Sequence, residues 1–134
     1  MINEIFIRTS QILGEDGFKK LQNASVAVFG LGGVGSHCAE ALARSGVGKL
    51  FLIDSDTVAP SNINRQSIAL ISTIGRKKTD VLKEKIADIN PNCRVFDKNL
   101  GDHFVSHGSV AELRRKHGLD VDSIVQYVKE VLSE

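Results

Sequence analysis

Apolar residues fall along this chain in two rhythms. Short unbroken runs, SVAVF at 25–29 and KLFLI at 49–53, end at a glycine and at an acid. Such runs predict strands of a parallel sheet covered on both faces. CRVFD at 93–97 predicts a third strand. Between them the spacing turns helical. Residues 33–45 set small and apolar side chains at helical intervals until Gly46 and Gly48 stop them. In RKKTDVLKEKIADIN, residues 76–90, Val81, Leu82, Ile86 and Ile89 lie on one stripe, and Pro91 ends it. A short amphipathic helix is predicted over 14–21, with Phe18 and Leu21 on one side. The alternation of strand and helix predicts an α/β fold: a Rossmann-like parallel sheet of about three strands with flanking helices.

Beyond Asn99 the pattern changes. LGDHFVSHGS reads as a loop, and VAELRRKHG as a short basic helix starting after Ser109. SIVQYVKEVLSE reads as a last helix, with Ile124, Val125, Val128 and Leu132 as its stripe and Asp122 as its N-cap. The chain is therefore expected to divide into a nucleotide-binding half, 1–99, and a helical tail, 100–134.

Length and charge narrow the function classes. A chain of 134 residues suffices for one domain of ordinary size. Its 17 Lys and Arg against 16 Asp and Glu leave a net charge of +1, so no global field draws it to nucleic acid or membrane. The clusters Arg76–Lys77–Lys78 and Arg114–Arg115–Lys116 read first as solvated helix faces. No apolar run approaches the roughly 20 residues of a membrane span. MINEIFIRTS carries acid and lacks the apolar centre of a signal peptide, so a cytosolic protein is expected. Cys38 and Cys93 are far apart and belong to no CxxC pair, which argues against zinc or a disulfide. Cys38 reads as a small core residue of its helix. His103, His107 and His117 are irregularly spaced in a polar tail, and no metal site is assigned.

The chemistry concentrates in VFGLGGVGSHCAEALARSGVGKLFLID, residues 28–54. Gly30, Gly32 and Gly35 fit G-x-G-x-x-G directly after a strand and before a helix. In that setting Gly30 permits a tight turn, Gly32 lets a phosphate approach the backbone, and Gly35 lets helix and strand pack closely. The helix start offers unpaired N–H groups to an anion. Asp54, about twenty residues on, stands where a carboxylate can accept from ribose hydroxyls. The default ligand of this pattern is NAD. Against it stand the extra Gly33, the polar loop DSDTVAPSNINRQ, and the cations Arg65 and Lys78 with the amides of Asn62 and Gln66. Two cations beside a backbone cradle suit a triphosphate better than a pyrophosphate.

GLGGVGS, LID with DSDTVAPSNINRQ, and IGRKKTDVLKEKIADINP resemble the ThiF/MoeB/HesA branch of the ubiquitin-activating-enzyme superfamily. Within it, residues 8–56 most resemble the branch that dehydrates threonylcarbamoyladenosine in tRNA. The likeness covers about residues 6–97. It implies an ATP-binding module that, with Mg2+, activates a carboxylate as an acyl-adenylate and releases pyrophosphate. By position, Gly30, Gly32, Gly33 and Gly35 would cradle phosphates, and Asp54 would hold the ribose with Asp56 beside it. Asn62, Arg65 and Gln66 would contact the phosphates, and Lys78 would neutralise charge on them. Arg8 would act across a homodimer, and tRNA would be the partner macromolecule. The chain is about half the family's length, and LDVDS at 119–123 only superficially echoes the family's metal-binding aspartate motif. Residues 100–134 are accordingly expected to lie outside the likeness. Two other readings stay open on the residues alone: an NAD-dependent oxidoreductase domain, and a non-catalytic dimerisation module.

Overall fold

The computed structural model describes residues 4–99, 110–116, 118 and 120–133. The chain forms two compact units, Met1–Asn99 and Leu100–Glu134. In the first, β1 (Ser25–Phe29), β2 (Lys49–Asp54) and β3 (Arg94–Asn99) make a parallel sheet in that order. Val28 stands opposite Leu52, and Leu52 opposite Asp97. Helix α2 (Gly35–Ser45) joins the first pair and α3 (Lys78–Ile89) the second. Two right-handed crossovers in the same direction put both helices on one face. The core follows: Val28, Leu50 and Leu52 of the sheet meet Ala39 and Ala43 of α2 and Leu82 and Ile86 of α3.

On the other face Phe51 stacks on Phe96, with ring centroids 5.1 Å apart. The predicted cover of both faces fails at β1, where Ala27 is exposed and Phe29 is 53% exposed. β1 is an edge strand, and its continuous apolar run is buried through Val28 on one face only. Cys38 is likewise exposed rather than in the core. The buried stripe of α2 runs through Ser36, Ala39 and Ala43, and Cys38 lies off it.

Three boundaries differ from the sequence reading. Helix α1 (Ile7–Asn23) starts at Ile7, and Gly14 (φ 71°, ψ 168°) is a kink within it rather than its beginning. Ile7, Ile12 and Leu13 are exposed, so the first half carries no buried stripe to announce it. Phe18 of α1 packs on Phe6, and a Cβ at Gly46 (φ +101°) would come within 2.8 Å of the Phe18 ring. Next, α3 begins at Lys78 because residues 75–77 are drawn into extended pairing. Gly75 N–H donates to Val58 O, Val58 N–H donates to Arg76 O, both at 2.8 Å, and Lys77 bridges Thr57. Finally, α4 (Val110–Lys116) and α5 (Val121–Ser133) occupy the second unit, and Asp120 rather than Asp122 caps α5. The Asp120 carboxylate accepts from the Ser123 hydroxyl and from its N–H at 3.1 Å, bonds that lower its pKa. The expected loop at 100–109, with His103 and His107, and also His117, lie outside the described residues. Among the described residues no helix is long and apolar enough to cross a membrane.

Candidate functional site

The site is built where β1 turns into α2. Gly30 (φ +79°) extends the ladder by donating to Ile53 O at 2.8 Å, then reverses the chain in a conformation that glycine adopts without strain. A Cβ at Gly35 would stand 1.8 Å from the Gly30 carbonyl oxygen, so the helix start rests directly on the turn. A Cβ at Gly32 would meet nothing within 4 Å: its front is open. Among the described residues no acceptor serves the N–H groups of Gly32, Gly33 and Val34. Three unpaired donors at a helix start, with open space in front of Gly32, offer a cradle for an anion.

Asp54, at the end of β2, is buried at 7% exposure and stitches this turn to the next segment. One carboxylate oxygen accepts from Leu31 N–H, the other from Asp56 N–H at 2.7 Å. Its expected ribose contact would thus use the remaining lone pairs of a group already held rigidly by the backbone. Asp56 is exposed and pairs with Lys78 at 2.7 Å, while Lys78 itself is 5% exposed. The solvated-face reading of residues 76–78 therefore fails at Lys78; Arg76 and Lys77 do face solvent. One of the three ammonium donors of Lys78 is engaged with Asp56, leaving two for another anion.

The connection from β2 to α3 folds back over the glycine turn. Asn62 is buried and structural: its Oδ1 accepts from Ala59 N–H at 3.0 Å, and its carbonyl accepts from Arg65 and Gln66 N–H. The loop thus uses Oδ1 to close its own turn, and a phosphate would meet the other end of the amide, its Nδ2 donor. Gln66 is buried at 6% exposure, and its Oε1 has no hydrogen-bond partner. Arg65 is exposed and lies over Gly33, where a Cβ would be 3.5 Å from its stem. Its guanidinium donates to Ser61 O at 2.8 Å and Asn64 Oδ1 at 3.0 Å. Both acceptors are neutral, so a phosphate would compete well for it. Arg8 is not brought to this end. It is exposed in the first turn of α1, two residues beyond Phe6, which packs beside Gly46 before β2 begins.

The sequence reading missed the groups that hold this arrangement. Ser36 Oγ donates to Gly32 O at 2.6 Å and accepts from Ser67 N–H at 3.2 Å. His37 Nε2 lies 3.2 Å from Arg65 O, so that nitrogen carries the proton. Lys85 Nζ donates to Ser67 O at 2.8 Å and pairs with Glu40 at 2.7 Å. Lys85, aided by Arg44, holds the Glu40 carboxyl down at about 2 against the opposing effect of burial. Spacing four apart marks the pairing of Glu40 with Arg44 in the sequence, but no local signal marks Lys85.

No group of three or more His, Cys, Asp or Glu side chains able to hold a metal occurs among the described residues. The donors present are two cations, a backbone cradle and one exposed carboxylate, a set that fits a phosphate carrying its own cation better than a resident metal.

Fold and site together define a Rossmann-like α/β domain with a glycine turn of the phosphate-binding kind. The chain belongs to the ThiF family, whose model matches residues 7–125. That match takes in most of the second unit, so residues 100–125, expected to lie outside the likeness, fall within it. The chain is 54% identical over 91 residues to the tRNA threonylcarbamoyladenosine dehydratase of Bacillus subtilis, an alignment covering 68% of this chain and 36% of the relative. The crystal structure of Escherichia coli tRNA N6-threonylcarbamoyladenosine dehydratase in complex with ATP superposes with a TM-score of 0.71 at 42% identity, covering 79% of this chain and 44% of that one. Its complex with AMP gives a TM-score of 0.71 at 40% identity, covering 87% and 48%. The chain thus spans less than half the length of the relatives it matches.

Proposed function

We propose that this chain binds ATP at the glycine turn as the nucleotide-binding part of an adenylating enzyme. The observation that carries the reading is Arg65 lying over Gly33, a cation held only by neutral acceptors and set against a backbone cradle. Support comes from the neighbouring structure crystallised with ATP and with AMP. In this reading the N–H groups of residues 32–34 take the phosphates, Arg65 leaves its neutral acceptors for them, and Lys78 adds its two remaining donors. Asp54 receives the ribose, and Gln66, buried behind Arg65, completes the loop that carries the phosphate contacts. Mg2+ would accompany the nucleotide and offset phosphate charge, with the exposed Asp56 the carboxylate available to it.

The chemistry would be transfer of the adenylyl group. A carboxylate oxygen attacks the α-phosphorus, the bond to the bridging oxygen breaks, and pyrophosphate leaves with the electron pair. Fixed N–H donors and cations stabilise the charge that develops, with no covalent step through the protein. By the names of its relatives, the carboxylate would be that of threonylcarbamoyladenosine in tRNA. A homodimer is part of the proposal, because Arg8 can serve this chemistry only on a neighbouring copy.

Calorimetric titration of the chain with ATP–Mg2+ and, separately, with NAD tests the reading. Binding of ATP is expected, with Arg65→Ala weakening it about 10- to 100-fold, the loss of one charge-assisted contact. Binding of NAD in place of ATP would overturn it.

A further inference from the structure

The glycine turn is fixed by its own backbone, but Arg65 sits on a connection of 23 residues, 55–77, between β2 and α3. Something must hold that connection over the turn. Around Ser67 the structure has one such device: Lys85 of α3 reaches back to the Ser67 carbonyl at 2.8 Å and to Glu40 of α2 at 2.7 Å. Glu40 is in turn gripped by Arg44, whose Nε and Nη2 both donate to its Oε1, at 3.0 and 2.8 Å. The Glu40 side chain is 17% exposed and that of Lys85 is 32% exposed, so the pair is shielded more than an ordinary surface ion pair. Two further contacts continue the same seam toward the ligand: Ser67 N–H to Ser36 Oγ, and His37 to Arg65 O.

We infer that Lys85 is a positioning residue for Arg65: clamped by Glu40, it pins the 61–67 segment to α2 so that the stem of Arg65 lies over Gly33 and its guanidinium starts beside the glycine turn. Lys85 touches no ligand in this scheme. It acts only by fixing where Arg65 begins, and it therefore governs the part of a nucleotide that Arg65 would meet. Rigid support of a contacting group from behind is what separates a placed cation from a wandering one. The inference rests on the ATP reading for its functional consequence, though not for its structural one.

Two measurements on the 134-residue chain test it, comparing Lys85→Met and Lys85→Arg with the parent. In calorimetry, Lys85→Met is expected to weaken ATP about tenfold while changing AMP less than about twofold, because AMP lacks the outer phosphates. Lys85→Arg should recover most of the loss. A general loss of fold would lower both nucleotides together, and equal losses, or none, would overturn the inference. The second measurement needs no nucleotide: trypsin cleavage after Arg65 should quicken several-fold in Lys85→Met and stay near the parent rate in Lys85→Arg. An unchanged rate overturns the inference even if the parent chain proves not to bind ATP, whereas absent ATP binding with quickened cleavage sinks the functional reading and leaves the clamp standing.

Discussion

Two connections meet at the site, and they are held in opposite ways. The first runs from Phe29 to Gly35 and is fixed by backbone: a ladder bond from Gly30, a helix start seated on a carbonyl, and one buried acid tying Leu31 down. The second, 55–77, closes its own turns through backbone bonds but is held to the rest of the domain by side chains reaching across from the helices: Ser36, His37, Lys78 and Lys85. A short turn leaves the chain few conformations, so glycines suffice to choose one. A long connection must be ordered against a larger entropy, and it needs bonds from outside itself.

The largest effect that tests this contrast lies within the first connection. Gly35→Ala would place a Cβ 1.8 Å from the Gly30 oxygen, a backbone atom with nowhere to go. A loss of about 3 kcal/mol or more in urea unfolding is expected. Gly32→Ala, with nothing within 4 Å, should cost under about 1 kcal/mol and act instead on ligand approach. Equal stability losses at the two positions would erase the contrast. Next in size is Asp54→Asn. Its carboxylate accepts from two backbone N–H groups, and an amide can replace only one acceptor, which leaves a buried donor facing a donor. A cost of about 1–3 kcal/mol follows, measurable as a shift in the unfolding midpoint.

The smallest effect belongs to the second connection and is set by pH. The folded Glu40 carboxyl is held at about 2 by Lys85 and Arg44, below the ordinary value of about 4.3. A depressed carboxyl contributes stability that is present above its unfolded pKa and is lost as pH falls toward its folded one. The parent chain should therefore lose stability between pH 5 and pH 2 more steeply than Glu40→Gln. Parallel acid slopes for the two chains would show that the Glu40–Lys85 pair does not stabilise the fold.

The same division governs what could be read from the residues. SVAVF became β1 with the predicted ends, because a strand bounded by an alanine and a glycine is a local statement. The start of α3 departs from the helical pattern because Gly75–Lys77 are recruited by Thr57 and Val58, seventeen to twenty residues away, and no helical rhythm reports that. Lys78 and Cys38 exchanged their expected places for one reason. Neighbours in sequence describe each one's composition, whereas burial is decided by which side of the helix meets the sheet. Asn62 carries a structural role that its residue type did not announce: its oxygen closes the turn that begins at Ala59.

By itself, then, the sequence determined the strand–helix alternation, the glycine turn, the acid after β2 and the family, all of which are written in spacings of a few residues. Only the tertiary structure decided that Arg65 lies over Gly33, that Lys78 is buried against Asp56, and that Glu40 and Lys85 clamp the connection between them. Those pairings join residues 22 to 45 positions apart, and a side chain on one helix can find its partner on another only after the sheet has set the helices side by side.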